Sequence, residues 1–269
     1  MPPSACFLFR RLLPEKKMNK PLLGQTVLVT GASGDIGGAI VRQLAGQGAE
    51  VIIHYSRDRG RAEHLLASIG GAGHLVCGDL GTEGGPLELW HQAMAITGRI
   101  DALVNNAGVR NEVSVEAAPA EWQRTWRREF QINFFAAADL CKEAIIHFRS
   151  NGGGRIVNMA SRAGQRGYSA DAMQYGASKA ALINLTKSIA TSFGADGITA
   201  VAIAPGWVGT EMAESFMAIH GQQAVTRDIP IGRAVALEEL AELVAFVLRA
   251  SQRSLNGATL DINGGSYIR

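Results

Sequence analysis

The feature that most narrows the choice of fold is an alternation. Seven short apolar runs are separated by six stretches with helical periodicity. The runs are QTVLVT (25–30), EVIIHY (50–55), GHLVCG (73–78), IDALVN (100–105), RIVNMA (155–160), ITAVAI (198–203) and ATLDI (258–262). The helical stretches lie near 36–46, 59–69, 84–97, 119–149, 172–195 and 237–250. Strands joined through helices run parallel, and nearly continuous apolar character means that both sheet faces are covered. The expectation is therefore an α/β fold. No internal repeat, linker or second core interrupts it, so residues 18–269 read as one domain. The stretch near 119–149 reads as one long helix with Pro119 in its first turn, stopped by the glycines of SNGGG.

With 269 residues the chain can bury a large core. A net charge of +2, spread along the sequence, argues against a nucleic-acid stripe or a polybasic membrane anchor. No apolar run approaches the roughly 20 residues of a membrane span. Cys6, Cys77 and Cys141 are odd in number and lack a CxxC, which argues for a reducing, cytoplasmic setting and against structural zinc; no metal is expected. Residues 1–17 do not match the alternating pattern of the rest of the chain. Met18 opens a natural start, so the preceding segment is expected to be a dispensable extension with no fold of its own.

Chemistry-bearing residues gather at the carboxyl ends of the expected strands, where open α/β sheets bind ligands. The first strand runs into TGASGDIG and then a helix. In that context the backbone of Gly31, Ser33, Asp35, Ile36 and Gly37 can cradle a pyrophosphate at the helix's positive end. Strand three ends in Gly78-Asp79-Leu80, and strand four in Asn105-Asn106-Ala107-Gly108. Asp79 could equally cap a helix, and Asn105 stabilise a turn. Asn133, among aromatic and aliphatic neighbours in mid-helix, is either a satisfied core amide or a site residue. Ser161 closes the fifth apolar run. Tyr175 and Lys179 stand four apart on one helical face, where an ammonium beside a phenol is expected to lower the phenol's pKa and suit it to acid–base work.

TGASGDIG, the Asp79 turn, NNAG, Asn133, Ser161, YGASK and the segment Ala204–Thr210, in this order from about Gly24 to Tyr267, resemble the short-chain dehydrogenase/reductase family. The tail looks most like the branch holding 3-oxoacyl-(acyl-carrier-protein) reductases and related carbonyl reductases. The resemblance implies a Rossmann sheet of seven parallel strands, ordered 3-2-1-4-5-6-7, and a nicotinamide dinucleotide. It implies that Tyr175 is the acid/base, Ser161 holds the substrate oxygen, and Lys179 lowers the tyrosine's pKa and binds the nicotinamide ribose. Asn133 would distort its helix and support a proton relay. Asn105, Ala107 and Gly108 would line the cofactor, Asp79 and Leu80 would meet the adenine, and Pro205, Gly206, Val208 and Thr210 would cover the nicotinamide. A homotetramer packed through the fourth and fifth helical regions is also implied.

Three departures refine this. The family pattern has glycine where Asp35 stands; its carboxylate must point away from the pyrophosphate, and a left-handed backbone there would be tolerable for Asp. The second strand ends in Tyr55-Ser56-Arg57, with Tyr55 where NAD-dependent relatives carry Asp, so NADP(H) is expected to be preferred, with NAD(H) possible. Asp58 is read as a helix cap. Carrier-protein reductases have basic residues at two places that hold Gly152 and Asp196 here, which favours a small carbonyl or alcohol over an acyl carrier. The 3-oxoacyl reductase activity is the alternative, and a non-catalytic dinucleotide-binding regulator a remote one. The substrate pocket is expected from loops 110–115 and 162–173 and a lid from Trp207 to about Asp228. Met212, Phe216, Met217 and Ile219 read either as an apolar lid or as a helix packed on the core.

Overall fold

A computed structural model describes residues 20–269. The expected extension at 1–17 lies outside them. Seven strands form one parallel sheet in the order β3-β2-β1-β4-β5-β6-β7. They are β1 (Thr26–Val29), β2 (Glu50–Tyr55), β3 (Gly73–Cys77), β4 (Ala102–Asn105), β5 (Gly154–Met159), β6 (Ile198–Pro205) and β7 (Thr259–Ile262). Between them run the helices α1 (Asp35–Gly46), α2 (Arg59–Ser68), α3 (Gly85–Thr97), α4 (Pro119–Phe130), α5 (Ala136–Ser150), the short α6 (Ala163–Arg166) and α7 (Met173–Phe193). After β6 come α8 (Glu211–His220), the short α9 (Gln223–Thr226) and α10 (Leu237–Val247). Among the described residues no helix is long and apolar enough to cross a membrane.

The sheet is buried on both faces, as the apolar runs require. Val27 and Val29 of β1 pack with Ile40 and Leu44 of α1 and with Leu240 and Val244 of α10. Leu28, one residue out of phase, packs on the other side with Leu89 of α3, Leu140 and Phe148 of α5 and Ile189 of α7. Alternate residues of one strand thus serve two cores. β1 pairs with β2 on one edge and β4 on the other. The chain reverses its winding there, which opens a crevice above the strand ends.

The region read as one helix near 119–149 is not a single α-helix. A π turn, Gln131–Phe135, separates α4 from α5. Its cause is Asn133. Oδ1 accepts from Val109 N–H at 2.8 Å and Nδ2 donates to Val109 O at 2.9 Å. The amide pairs with both backbone groups of a neighbouring loop residue, and the helix widens by one residue to let it. Such π turns recur at functional sites.

Candidate functional site

The glycine turn after β1 is built by close approach. Gly31 adopts φ +60°, and a Cβ there would lie 2.9 Å from Ala107 Cα. A Cβ on Gly37 would lie 2.4 Å from Gly31 O. Neither position has room for a side chain. Thr30 Oγ1 accepts from the backbone N–H of Asn106 and of Ala107, each at 3.0 Å, and Asn106 Nδ2 donates to Thr30 O at 2.9 Å. The NNAG turn therefore clamps the glycine turn from one side. His54 holds it from the other: buried in β2, it accepts Gly31 N–H on Nδ1 at 2.9 Å and reaches Gly78 O through Nε2 at 3.1 Å. With Nδ1 as acceptor, Nε2 carries the proton and donates to the carbonyl.

The N-terminus of α1 has no side-chain cap and opens at the carboxyl end of β1. Uncapped N–H groups at a helix's positive end fit a pyrophosphate. Asp35 does not obstruct it. Oδ1 accepts from Arg61 Nη2 at 2.8 Å and Oδ2 from Glu211 N–H at 2.9 Å, which turns the carboxylate toward α2 and α8. No residue other than glycine has positive φ among the described residues, so Asp35 does not adopt the left-handed backbone that the glycine pattern allows for. It is simply the first residue of α1.

Around the cradle, Ser33 and Ile36 are partly buried, Tyr55 packs into the core, and Ser56 and Arg57 are exposed at the end of β2. Asp58 caps α2 by accepting from Arg61 N–H at 2.8 Å, as expected. Asp79 is exposed and its Oδ1 accepts from Gly81 N–H at 2.8 Å, a local turn rather than a helix cap; Leu80 is buried beneath it. The expectation that Asn105 lines the cofactor fails: its side chain is buried under α5, where Nδ2 donates to Asn158 Oδ1 at 2.9 Å. As the last residue of an interior strand it has its side chain on the helix-covered face. Ala107 and Gly108 lie along the groove floor, and a Cβ on Gly108 would stand 3.2 Å from Lys179 Nζ and 3.3 Å from Asn133 Oδ1. Pro205 ends β6 and Gly206 N–H is held by Ile262 O at 2.9 Å. Val208 pairs with Val235, and Thr210 caps α8 by accepting from Ala213 N–H at 3.3 Å. The side chains of Met212 and Phe216 are outside the described residues, while Ile219 is 77% exposed.

The four residues singled out for catalysis converge. Ser161, buried just beyond β5, hydrogen-bonds Tyr175 and accepts from Ala163 N–H at 3.1 Å. One turn along α7, Lys179 is buried with Nζ 5.9 Å from the tyrosine ring centre. Asn133 reaches the same helix, its Nδ2 lying 3.2 Å from Ser178 Oγ.

The electrostatics differ from the expectation drawn from spacing. Burial raises the Tyr175 phenol above its ordinary value of 10.0, and the Ser161 hydrogen bond only partly opposes this. Lys179 is not among the groups that set that balance, and its Nζ donates to Met159 O at 2.8 Å. Burial lowers the lysine itself to about 8, with Glu129 opposing. Glu129 is fully buried at the end of α4, where burial raises its pKa. Its Oε2 accepts from Asn111 N–H at 3.1 Å and from Asn111 Nδ2 at 2.6 Å, and its Oε1 from Asn133 Nδ2 at 3.3 Å. The resting tyrosine is thus a neutral proton donor.

His54, Glu129 and Tyr168 are not singled out by sequence, and Asn106 appears only within its motif, without a role of its own. His54 leaves a signal, a lone polar residue inside an apolar strand, and Glu129 another, an acid just ahead of FQINFF. Tyr168 is marked only by its place in the 162–173 loop expected to line the pocket; its ring centre lies 5.5 Å from that of Tyr175. Cys77 and Cys141 are free thiols, and burial pushes Cys141 up to about 12.

The comparisons with known proteins agree with this geometry. A family model described as enoyl-(acyl carrier protein) reductase matches residues 31–267. A 3-oxoacyl-(acyl-carrier-protein) reductase of Rickettsia bellii is 35% identical over 92% of this chain and 98% of its own length. A cis-4-hydroxycyclohexanecarboxylate dehydrogenase of Sinomonas cyclohexanicum is 34% identical, with the same coverage. A solved mutant of a Serratia marcescens short-chain dehydrogenase/reductase superposes with a TM-score of 0.84 at 32% identity, covering 91% of this chain and 99% of that one. The chain belongs to the short-chain dehydrogenase/reductase family, most like its 3-oxoacyl-(acyl-carrier-protein) reductase branch, and is an NAD(P)-dependent oxidoreductase that interconverts a carbonyl and an alcohol.

Proposed function

We propose that this enzyme reduces a small carbonyl compound, or oxidises the matching secondary alcohol, with Tyr175 as its general acid or base. The carrying observation is the Ser161–Tyr175 pair at the end of β5, with buried Lys179 one turn away. The bound nicotinamide supplies or accepts the hydride at the carbonyl carbon. Ser161 orients the reacting oxygen. Tyr175 gives its proton to that oxygen in reduction and takes it back in oxidation. A phenol held neutral by burial suits the donating role, and Lys179 stabilises the phenolate left behind. Asn133 and Glu129 hold the loop from Val109 to Asn111 against α7, which keeps the site's wall in place.

NADP(H) is the preferred cofactor and NAD(H) a usable one. What supports this is the end of β2: Tyr55 is in the core, Asp58 is occupied as a cap, and exposed Arg57 is left to face a 2′-phosphate. The α1 terminus with Gly31 and Gly37 would hold the pyrophosphate. A free small molecule is favoured over a carrier-bound acyl chain. Gly152 carries no charge, and Asp196 is an acid paired with Arg149 at 3.1 Å. The Sinomonas relative, named for a free small alcohol, points the same way. The enzyme acts in the cytoplasm as a homotetramer joined through α4, α5 and α7. Exposed Phe135 and Ile146 on the π turn and α5 support that packing.

Replacing Tyr175 by Phe keeps the ring and removes only the hydroxyl. Turnover should fall about 10²–10⁴-fold, with cofactor binding and melting temperature close to wild type. Near-normal turnover would overturn the assignment.

A further inference from the structure

Resting on that reading of the site, we infer that the substrate carries a carboxylate, and that Arg162 receives it. A cavity of about 620 Å³ opens beside the catalytic residues, lined by Arg110, Arg162, Arg166, Tyr168, Asp171 and Trp207, among others. That volume is of the size used for small-molecule ligands. Arg162 follows Ser161 directly, and its backbone is pinned by a hydrogen bond from its N–H to Pro205 O at 3.0 Å. The side chain is only 6% exposed. Its Nη1 is shut off from solvent and has no hydrogen-bond partner among the described residues.

A guanidinium nitrogen shut off from water without a partner is costly, and a folded protein seldom keeps one without a use. Burial and the neighbouring Arg166 both work against its charge. Tyr168 and Asp228 favour the charge from a distance, but among the described residues no carboxylate hydrogen-bonds Nη1. Glu112 is taken by Arg110 at 2.8 Å. Asp228, in the lid, is 70% exposed at its side chain and bonds to Arg227 at 3.9 Å. Asp171 faces the same cavity, but its Oδ1 is itself buried without a partner, so it does not meet Arg162 either.

The arrangement is polarised. The Arg162 wall lacks an anion, while the Asp171 wall lacks a donor and would repel an anion. A substrate anion is thereby directed to one side and a hydroxyl or other donor to the other. Arg offers two parallel N–H groups, which match a carboxylate. Arg162 shares the cavity with Tyr168, whose ring centre lies 5.5 Å from that of Tyr175, so an anion held there belongs to the small substrate itself. A phosphate at the far end of a carrier's arm would not reach so close. Arg110, its guanidinium carbon 5.4 Å from the centre of the Tyr168 ring, adds positive field along the path to Tyr175.

The test uses the wild-type enzyme with oxidised NADP bound, so that a ketone cannot turn over. 4-Oxopentanoate, 5-oxohexanoate and their methyl esters are titrated by calorimetry. The better acid should bind about 10- to 100-fold more tightly than its ester, the span a charged hydrogen bond supplies. In Arg162→Gln that ratio should fall toward one, and in Arg162→Lys it should be intermediate. Cofactor titration and melting check that each variant folds; should the glutamine variant not fold, the lysine variant decides alone. Equal binding of acid and ester to wild type, no saturable binding of either acid, or a wild-type ratio in the substituted enzyme would overturn the proposal. The readout is binding, so it can fail while Tyr175 keeps its role, and the reverse.

Discussion

Replacing His54 by Leu isolates what one buried imidazole does for the dinucleotide cradle. Leucine is apolar and of similar bulk, so the core stays filled while both hydrogen bonds vanish. Gly31 N–H and Gly78 O, held at 2.9 and 3.1 Å, are then left without their partner. Each orphaned backbone group costs about 1–3 kcal/mol, so the substitution should cost roughly 2–6 kcal/mol against a total of about 5–15. For a chain of this size that is a fall in melting temperature of roughly 5–20 °C. His54→Asn, which can satisfy one of the two groups, should fall between. The pH dependence has a definite sign. Burial, the largest influence, lowers the His54 pKa below 6.5, with its bond to Gly78 and the charge of Asp79 opposing. The folded state therefore prefers the neutral ring. This contribution is fully present above pH 6.5 and is lost as pH falls through the depressed folded value. Wild type should lose more stability than His54→Leu on acidification through that window. Melting curves at neutral and acidic pH, with a cofactor titration beside them, read all of this. A His54→Leu enzyme that melts with wild type, or that shows the same acid sensitivity, would refute the reasoning.

Two further outcomes are expected. Arg57→Ala should weaken NADPH about 10- to 100-fold and NADH little, measured by equilibrium fluorescence, since a charged hydrogen bond to a phosphate contributes about 1.5–3 kcal/mol; equal losses would remove the proposed basis of preference. Light scattering at micromolar concentration should give about four times the 28.5 kDa chain mass, and a monomer's mass would remove the tetramer.

The sheet was legible because its strands are buried on both faces and so appear as uninterrupted apolar runs. The strand order came from resemblance, since composition does not say which edge a strand joins. Helix boundaries were close for α1, α2 and α3, which begin and end at Gly, Asp or Pro signals. The break at 131–135 is not visible in the local pattern; the resemblance implied that Asn133 distorts its helix, and the bonds that do so reach Val109, a residue 24 positions earlier in the chain. Proximity of Tyr175 and Lys179 followed from helical spacing, but the direction of the phenol's shift did not. Burial of the phenol sets it, and spacing along one helix does not show how deeply a side chain is enclosed. Asp35 looked like a defect in a glycine motif because its partners, Arg61 and Glu211, are remote in sequence. Arg162 falls in a loop expected to line the substrate pocket, but sequence does not show that its charge is enclosed.

The π turn also sets a phase. A helix advances about 100° per residue, and a turn that closes one residue late offsets the succeeding helix by about that angle. Upstream, Trp122, Trp126 and Phe130 stack in a row, with ring centres 5.4 and 6.0 Å apart. Downstream, Leu140, Cys141, Ala144 and Phe148 face the sheet. An unbroken helix could satisfy only one of these two alignments. Closing the wide turn to ordinary α spacing, with every residue kept, would rotate one half out of place by about 100°, either the core face of α5 away from the sheet or Glu129 and Asn133 away from the loop they hold. A point substitution in the row of aromatic rings changes one contact, whereas closing this seam changes the aim of every side chain beyond it.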